Sequence, residues 1–370
     1  MSKKKSVAMA PAGPLTFETL TAAEIEDPLR ADWSAMRSQT AAYRPPFFSH
    51  QFVEAVARFV PEVRVVVARR GSQTLAILPY QRHGSRAARP VGLGINDAHG
   101  LLTNADAEWQ MAEFLQRSAL TSFAFHAAPL ALPGIANYEL GRTRSFLADL
   151  TVDPLGYENY LRKTSATIDR QGQKTRRLIK EMGPLRFEFD CRAPEMLQRL
   201  LQLKSDQYAR TYTFDIFSVR WIQQLLFQLH RQTSAAVRGV LSVLFAGQTP
   251  VALHFGLLEA DLLHYWFPVF DPRYAYASPG TQLFLEVSRS AQERGIRAID
   301  LGYGEQAYKH KLTNVVSEMS FGLISDNPLR RLAYRSKLQL RERLRGLPIK
   351  SMVKPLTRRL FPSLGKRVYE

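Results

Sequence analysis

Hydrophobic residues recur along the chain with two periods, one typical of helices and one typical of strands. Apolar residues that return every three or four positions predict helices at residues 17–40, 47–59, 107–119, 193–210, 218–233 and 281–295. Shorter runs rich in β-branched and aromatic residues predict strands at residues 63–70, 74–83, 122–127, 185–189, 237–247, 249–259, 261–270, 296–302 and 316–324. This order predicts a mixed α/β (α+β) fold in which helices flank the sheets.

The second half of the chain has the more regular arrangement. Three predicted strands between residues 237 and 270 follow one another through short connections, which indicates an antiparallel meander. The helix that follows ends at Gly295 and leads into the buried strand 296–302. The first half has a similar helix–strand–strand order, but no sequence repeat relates the two halves.

The stretch DLGYGEQAYK, residues 300–309, is the strongest candidate for chemistry. Asp300 ends a buried strand after a crossover helix, and ligands commonly bind at such a sheet edge. Gly302 and Gly304 permit close approach to the backbone, and Lys309 supplies a cation. The alternative is a turn with a surface Asp–Lys pair, which composition alone favours.

Two further stretches could bind a ligand. The residues before the helix at 281–295 could present its free N–H groups to an anion, although such residues more often only cap the helix. His254 and His264 lie in two predicted hairpin strands, where buried polar groups need partners. A substrate is one such partner, but an ordinary structural histidine is the more frequent case.

Residues 161–182 form a strongly basic segment, with seven Lys or Arg and two acidic residues. Its thin apolar stripe predicts an exposed helix that is broken near Gly172. A solvated basic face and a site for an anionic ligand are both open here.

The formal net charge of +17 lies mainly at the ends of the chain. Residues 329–370 hold thirteen Lys or Arg and two acidic residues, and Lys3, Lys4 and Lys5 add to the excess. Such a tail suits anionic lipid or nucleic acid, or is merely solubilising. With a lone Cys191 and no apolar segment typical of a signal peptide, we expect a cytoplasmic protein, with the inner membrane face as the alternative.

Several of these stretches resemble a known family. The hairpin HFGLLEADLLHYWFPV, the loop FDPRYAYASPG and the strand exit IDLGYGEQAYK are similar to the BioF2-like acetyltransferase domain of the CelD/BcsL type. This is a branch of the GNAT superfamily related to the Fem peptidyltransferases. The resemblance covers roughly residues 155–325, and PFFSHQFVEAV with AILPYQR resembles the upstream half of the family.

The resemblance implies two GNAT-like units, each with a mixed, mostly antiparallel twisted sheet flanked by helices. We expect a flexible start at 1–14, one unit at 15–150, an acyltransferase unit at 151–327 and a basic tail at 328–370. It also implies that acetyl-CoA, without a metal, is the acyl donor and lies where two neighbouring strands diverge. Its pyrophosphate would then bind four residues at a helix start, namely Ser278, Pro279, Gly280 and Thr281.

Acyl transfer requires removal of a proton and stabilisation of an oxyanion. On this resemblance Asp300 or His254 is the base and Lys309 holds the developing charge. Tyr265, Tyr303 and Tyr308 would pack against a sugar or donate a proton to the leaving thiol. Gly304 would leave room for the acceptor. One cysteine and scattered histidines do not have the spacing of a metal site.

Three hypotheses follow. The first is an acyl-CoA-dependent transferase, N- or O-acetylating a sugar or sugar-linked acceptor in exopolysaccharide or cellulose synthesis. The second is a Fem-like transferase that uses aminoacyl-tRNA, because the loop SPGTQL at residues 278–283 keeps only one glycine of the usual GNAT pyrophosphate loop. The third is a non-catalytic accessory protein that docks on a membrane or a synthase complex through its tail.

Overall fold

The computed structural model describes residues 13–103, 111–130, 134–233 and 236–346. Within these ranges the strands are β1 (Leu15–Leu20), β2 (Val63–Arg70), β3 (Gln73–His83), β4 (Ala87–Arg89), β5 (Leu102–Thr103), β6 (Ser122–Pro129), β7 (Glu139–Asp149), β8 (Leu185–Glu188), β9 (Val237–Ala246), β10 (Thr249–Glu259), β11 (Leu262–Phe270), β12 (Ala298–Tyr303) and β13 (Val315–Ile324). The α-helices are α1 (Asp27–Ser38), α2 (His50–Ala57), α3 (Met111–Arg117), α4 (Tyr157–Thr164), α5 (Ala166–Asp169), α6 (Gln171–Met182), α7 (Pro194–Arg210), α8 (Arg220–Arg231), α9 (Pro279–Glu293), α10 (Lys309–Leu312) and α11 (Pro328–Gly346).

All these strands belong to one continuous mixed sheet. Its order is β1-β2-β3-β4-β6-β13-β7-β12-β11-β10-β9-β8, and β5 pairs with β3 off this path. Most neighbours are antiparallel, while β4–β6 and β11–β12 are parallel. The predicted meander is confirmed, because β9, β10 and β11 pair in sequence through antiparallel ladders.

The two halves of the chain exchange strands at the centre of the sheet. β7 comes from the first half and pairs with β12 of the second half. β13, near the end of the chain, lies between β6 and β7 and pairs with both. The division at residue 150 remains a proposal, and any two units on either side of it share this central set of strands.

Two hydrophobic cores lie on the sheet. The larger core joins the first half of the chain to α7, α8 and one face of the β10–β11 hairpin, where Trp266 and Phe267 are buried. The smaller core lies under α9 and includes Tyr265 and Phe284. Tyr265 and Trp266, which are neighbours along β11, therefore lie in different cores, because strand side chains alternate between the two faces of a sheet.

Three sequence predictions need correction. The helix predicted at 17–40 is wrong at its beginning, because β1 pairs with β2 and a helix starts only at Asp27. Leu15 and Phe17 alternate with exposed residues there, which is the strand period. The sequence analysis also missed β7, whose first half alternates Arg142 and Arg144 with smaller residues. The basic segment is broken at Ser165 as well as at Arg170, and only the break at Arg170 lies close to the one predicted near Gly172.

The predicted flexible start, the lysines at its beginning and the last part of the basic tail fall mostly on residues 1–12 and 347–370, which lie outside the described residues. The described part of the tail is α11, as its amphipathic pattern predicts. None of the helices in the described ranges is long and apolar enough to cross a membrane.

Candidate active site

The parallel strands β11 and β12 pair only at their beginnings. Leu262, Leu263 and His264 are in register with Ala298, Ile299 and Asp300. Beyond this point β11 continues to Phe270 along β10, whereas β12 has an irregularity between Asp300 and Tyr303 against β7. The two strands thus part after the His264–Asp300 pair, and main-chain groups of β11 that face this gap have no partner from β12.

A histidine between two carboxylates lies where the gap begins. Nδ1 of His264 is 3.0 Å from Oδ2 of Asp300, and Nε2 of His264 is 3.2 Å from Oδ2 of Asp97. His264 is fully buried, and the Asp300 side chain is 10% exposed. The Asp97 side chain is 26% exposed, so Asp97 is the carboxylate of this cluster that a ligand can reach.

The two carboxylates determine the charge of this histidine. Burial alone would lower the pKa of His264, but Asp300 and Asp97 raise it to about 9. Burial alone would raise the pKa of Asp300, but the charge and hydrogen bond of His264 and the N–H of Gly302 lower it. At neutral pH the cluster therefore holds an imidazolium between two aspartates.

Gly302, near the end of β12, allows this cluster to form. Gly302 has a φ of +68° and lies so close to Asp97 that any side chain there would collide with the Asp97 carboxylate. Its N–H donates a 2.8 Å hydrogen bond to Oδ1 of Asp300. Nζ of Lys309 donates to the carbonyl oxygens of Gly302 at 3.2 Å and Tyr303 at 2.6 Å.

Lys309 is 4% exposed, and burial lowers its pKa. Because its ammonium binds two carbonyl groups of the strand exit, the structure gives it a positioning contact there. Its predicted role on a developing oxyanion stays a prediction. Gly304 follows with a φ of +108°, close to the Gln306 side chain.

Aromatic residues surround the cluster. The Phe47 ring lies 4.7 Å from the His264 ring and 5.5 Å from the Trp266 ring, centroid to centroid. Tyr308 is 39% exposed. Partial burial and the nearby Asp97 carboxylate raise the pKa of Tyr308 to about 12, so this phenol remains protonated at neutral pH. Tyr303 is partly exposed, with its ring 5.7 Å from that of His126.

The predicted anion site at the start of α9 lies beside the basic helix α6. Ser278 has a φ of +50° and precedes the helix directly. Nζ of Lys174 donates a 2.9 Å hydrogen bond to Oγ of Ser278, and Nε2 of Gln171 donates a 2.9 Å hydrogen bond to the carbonyl oxygen of Ala277. Lys174 thus adds a cation to the N–H groups and positive dipole of the helix start. Pro279 is buried, while Gly280 and Thr281 are partly exposed.

His254 and Tyr265 lie apart from the carboxylate cluster. Their rings stack at 3.9 Å with an interplanar angle of 12°, and both residues are buried on the α9 side of the hairpin. Burial lowers the pKa of His254 and raises that of Tyr265. Both ring nitrogens of His254 and the hydroxyl of Tyr265 lack a hydrogen-bond partner among the described residues. The structure does not bring His254 next to Asp300.

Sequence reasoning missed two of these side chains. Asp97 lies in the glycine-rich stretch 89–103, for which the sequence analysis predicted neither a helix nor a strand. Lys174 was one of seven basic residues whose function was left open. For Asp97 the isolated acidic residue in an otherwise apolar, glycine-rich loop was the available signal.

Comparisons with known proteins agree with this geometry. Residues 165–310 match the family model described as "Acetyltransferase (GNAT) domain". These residues form a GNAT-superfamily acetyltransferase domain. The chain is accordingly an acyltransferase, and the match contains β11, β12, α6 and α9 but not Asp97. No curated protein matched the sequence.

Solved structures share the fold at low sequence identity. FemX superposes with a TM-score of 0.54 at 9% identity, covering 85% of this chain and 99% of FemX. A tandem GNAT protein from the clavulanic acid biosynthesis pathway has a TM-score of 0.49 at 14% identity, covering 85% of this chain and 99% of its own. The FemX superposition shows that the fold extends across most of the chain, beyond residues 165–310. The CelD/BcsL type remains a proposal.

Proposed function

We propose that this acyltransferase takes its acyl group from acyl-CoA bound in the gap between β11 and β12. The observation that carries the proposal is the parting of these strands directly after the His264–Asp300 pair. The gap leaves main-chain groups of β11 for the pantetheine arm, and the start of α9 with Lys174 suits the pyrophosphate. Bound acyl-CoA supplies the acyl group as an activated thioester.

In this proposal one side chain accepts the proton of the acceptor and another donates a proton to the leaving group. Asp97 accepts a proton from the attacking amine or hydroxyl, because it is the partly exposed carboxylate. His264 and Asp300 hold Asp97 in place through the buried ion pairs. Tyr308 holds a proton for the departing sulfur, and N–H groups of β11 beyond the segment paired with β12 stabilise negative charge on the carbonyl oxygen.

The acceptor in this proposal is an amine or hydroxyl of a saccharide. Tyr308 and the partly exposed Tyr303 offer aromatic surfaces near Asp97, and sugars commonly pack their apolar faces against such rings. The resemblance to the CelD/BcsL type extends the proposal to exopolysaccharide or cellulose synthesis. The basic tail would place the enzyme at the inner membrane surface or at a synthase complex.

Thermal unfolding in the presence of separate ligands tests the donor. Acetyl-CoA at about 100 times its Kd stabilises a protein by about 2.7 kcal/mol, which raises the melting temperature measurably. We expect this response with acetyl-CoA and none with deacylated tRNA or aminoacyl-tRNA. Stabilisation by aminoacyl-tRNA without a response to acetyl-CoA would replace this proposal with the Fem-like reaction.

Lys174→Gln tests the pyrophosphate site. Loss of one charge-assisted hydrogen bond is worth about 1.5–3 kcal/mol, so we expect the KM for acetyl-CoA to rise about tenfold or more while kcat stays within twofold. Lys180→Gln is the matched control, since Lys180 is an exposed lysine of the same helix. Equal KM values for the two variants would exclude Lys174 from the donor site.

A further inference from the structure

A groove of about 730 Å³ lies between the end of α2 and the outer face of α8. Three arginines, four glutamines and two phenylalanines line it, and no acidic residue does. None of these residues belongs to the candidate active site. The groove is therefore a separate candidate binding site.

No carboxylate of the described residues neutralises the charge of the groove. Arg58, Arg220 and Arg231 are exposed, and in the described part of the chain none of them forms an ion pair with a carboxylate. Guanidinium groups bind carboxylates and phosphates through paired N–H donors. An anionic ligand fits this lining better than a neutral or cationic one.

The residues of α8 that line the groove lie along one face of the helix. Arg220, Gln224, Phe227 with Gln228, and Arg231 recur every three or four residues and so share one face of the helix. The opposite face is buried through Ile222, Leu225, Leu226 and Leu229. At 1.5 Å rise per residue the two arginines lie about 16 Å apart along the axis, with amides and a ring between them.

The middle of the groove suits hydroxyl groups. Nε2 of Gln228 is buried and has no hydrogen-bond partner among the described residues, and an unpaired buried donor is costly. Glutamine amides both donate and accept hydrogen bonds, as sugar hydroxyls do. The partly buried rings of Phe59 and Phe227 offer apolar surface for the face of a sugar ring.

We propose that this groove binds an acidic saccharide chain whose carboxylates meet the arginines and whose hydroxyls meet the glutamines. Helix α2 connects the groove to the surroundings of His264. Phe52 of α2 contacts the Trp266 ring at 6.3 Å beside His264, and Arg58 follows about 9 Å further along the same helix direction. This last link rests on the proposed acyl transfer, whereas binding itself does not.

Calorimetry on the full chain without acyl donor tests the binding. The probes are hexagalacturonate, the neutral saccharide cellohexaose, and hexauridylate. The negative charge of hexauridylate lies on a nucleic-acid backbone instead of a saccharide chain. We expect hexagalacturonate to bind at least tenfold more tightly than either other probe. The double variant Arg220→Gln/Arg231→Gln should weaken the binding of hexagalacturonate at least tenfold. The control Arg210→Gln/Arg335→Gln removes the same charge from exposed positions elsewhere and should change this binding less than twofold.

Gln228→Met removes an amide from the groove without changing its charge, and so tests the recognition of sugar hydroxyls. We expect it to weaken hexagalacturonate at least threefold and to leave hexauridylate unchanged. Equal binding of hexauridylate, equal losses in the two double variants, or no binding of hexagalacturonate would each overturn the proposal. Because the acetyl-CoA thermal shift is measured separately, failure here leaves the acyl-transfer proposal standing, and failure there leaves the groove proposal standing.

Discussion

Nε1 of Trp266 donates a 2.7 Å hydrogen bond to the carbonyl oxygen of Ile95. The bond joins β11, inside the acetyltransferase domain, to the loop of the first half that carries Asp97 two residues later. The carboxylate cluster around His264 is thus assembled from both sides of the strand exchange. Residues 165–310 alone lack one of its carboxylates.

Trp266→Phe should therefore impair the reaction by displacing Asp97. The variant keeps an aromatic ring against Phe47 but leaves the Ile95 carbonyl without its donor, which costs about 1–3 kcal/mol of stability. We expect kcat to fall about tenfold or more, because small misplacements of catalytic groups have large effects. Steady-state kinetics and chemical unfolding measure the two effects. Wild-type kcat in a folded variant would mean that this bond does not position the loop.

Asp97→Asn tests the proposed base directly. Loss of a general base typically lowers the rate by about 10²–10⁴-fold. We expect such a fall in kcat with the KM for acetyl-CoA unchanged, because Asp97 is not among the groups proposed to hold the donor. Asp326→Asn removes an exposed carboxylate elsewhere and serves as the control. If Asp97→Asn retained more than a tenth of the wild-type rate, another group would have to take the proton.

The stability of the fold should fall as the pH rises above neutrality. The pKa of His264 is raised from an ordinary 6.5 to about 9, so its ion pairs are fully formed below pH 6.5 and are lost as the pH rises through 9. The loss amounts to about 3 kcal/mol over this interval. Urea unfolding at several pH values measures it.

His264→Gln provides the comparison for that profile. The variant lacks the titrating group, so its free energy of unfolding should be lower at pH 6 but change less between pH 6.5 and 9. At low pH the opposite dependence applies to Asp300, whose lowered pKa makes its contribution present above pH 3.8 and lost on further acidification. Parallel alkaline profiles for the two proteins would show that His264 is neutral in the folded state.

Gly302→Ala should destabilise the protein more than Gly295→Ala, although the two glycines have similar φ angles. Gly302 and Gly295 have φ values of +68° and +74°, but a side chain meets the Asp97 carboxylate only at Gly302, while nothing lies within 4 Å at Gly295. Gly295→Ala should cost about 1 kcal/mol through backbone strain alone. Gly302→Ala should cost about 2–4 kcal/mol and lower kcat strongly, since Asp97 must move. Equal costs in denaturant unfolding would contradict this close contact.

The sequence predicted the second half better than the first, for a physical reason. β9 to β11 and α9 are local in sequence and strongly periodic, so the antiparallel meander could be predicted from the pattern. The divergence of two neighbouring strands was expected only from the family resemblance. The side chain of Asp97 reaches the cluster only through tertiary contacts from a loop without periodicity. No local pattern predicts such a contact.

The roles of single residues were harder to predict than their neighbourhood. Asp300, Lys309, Tyr303 and Tyr308 all lie around the cluster, as expected from one short stretch of chain. His254 is different, because a one-residue irregularity between Phe255 and Leu257 separates its register from that of His264. The alternation of a strand decides which face a histidine occupies, and a bulge changes that count.

The position of β13 between β6 and β7 has a consequence for synthesis of the protein. A ribosome must release the chain nearly to Ile324 before the slot between these two strands can be filled. Until then the nascent first half exposes two open strand edges, which readily pair with other chains. Expression at low temperature or with a chaperone should therefore raise the soluble yield more for fragments that end before β13 than for the full chain.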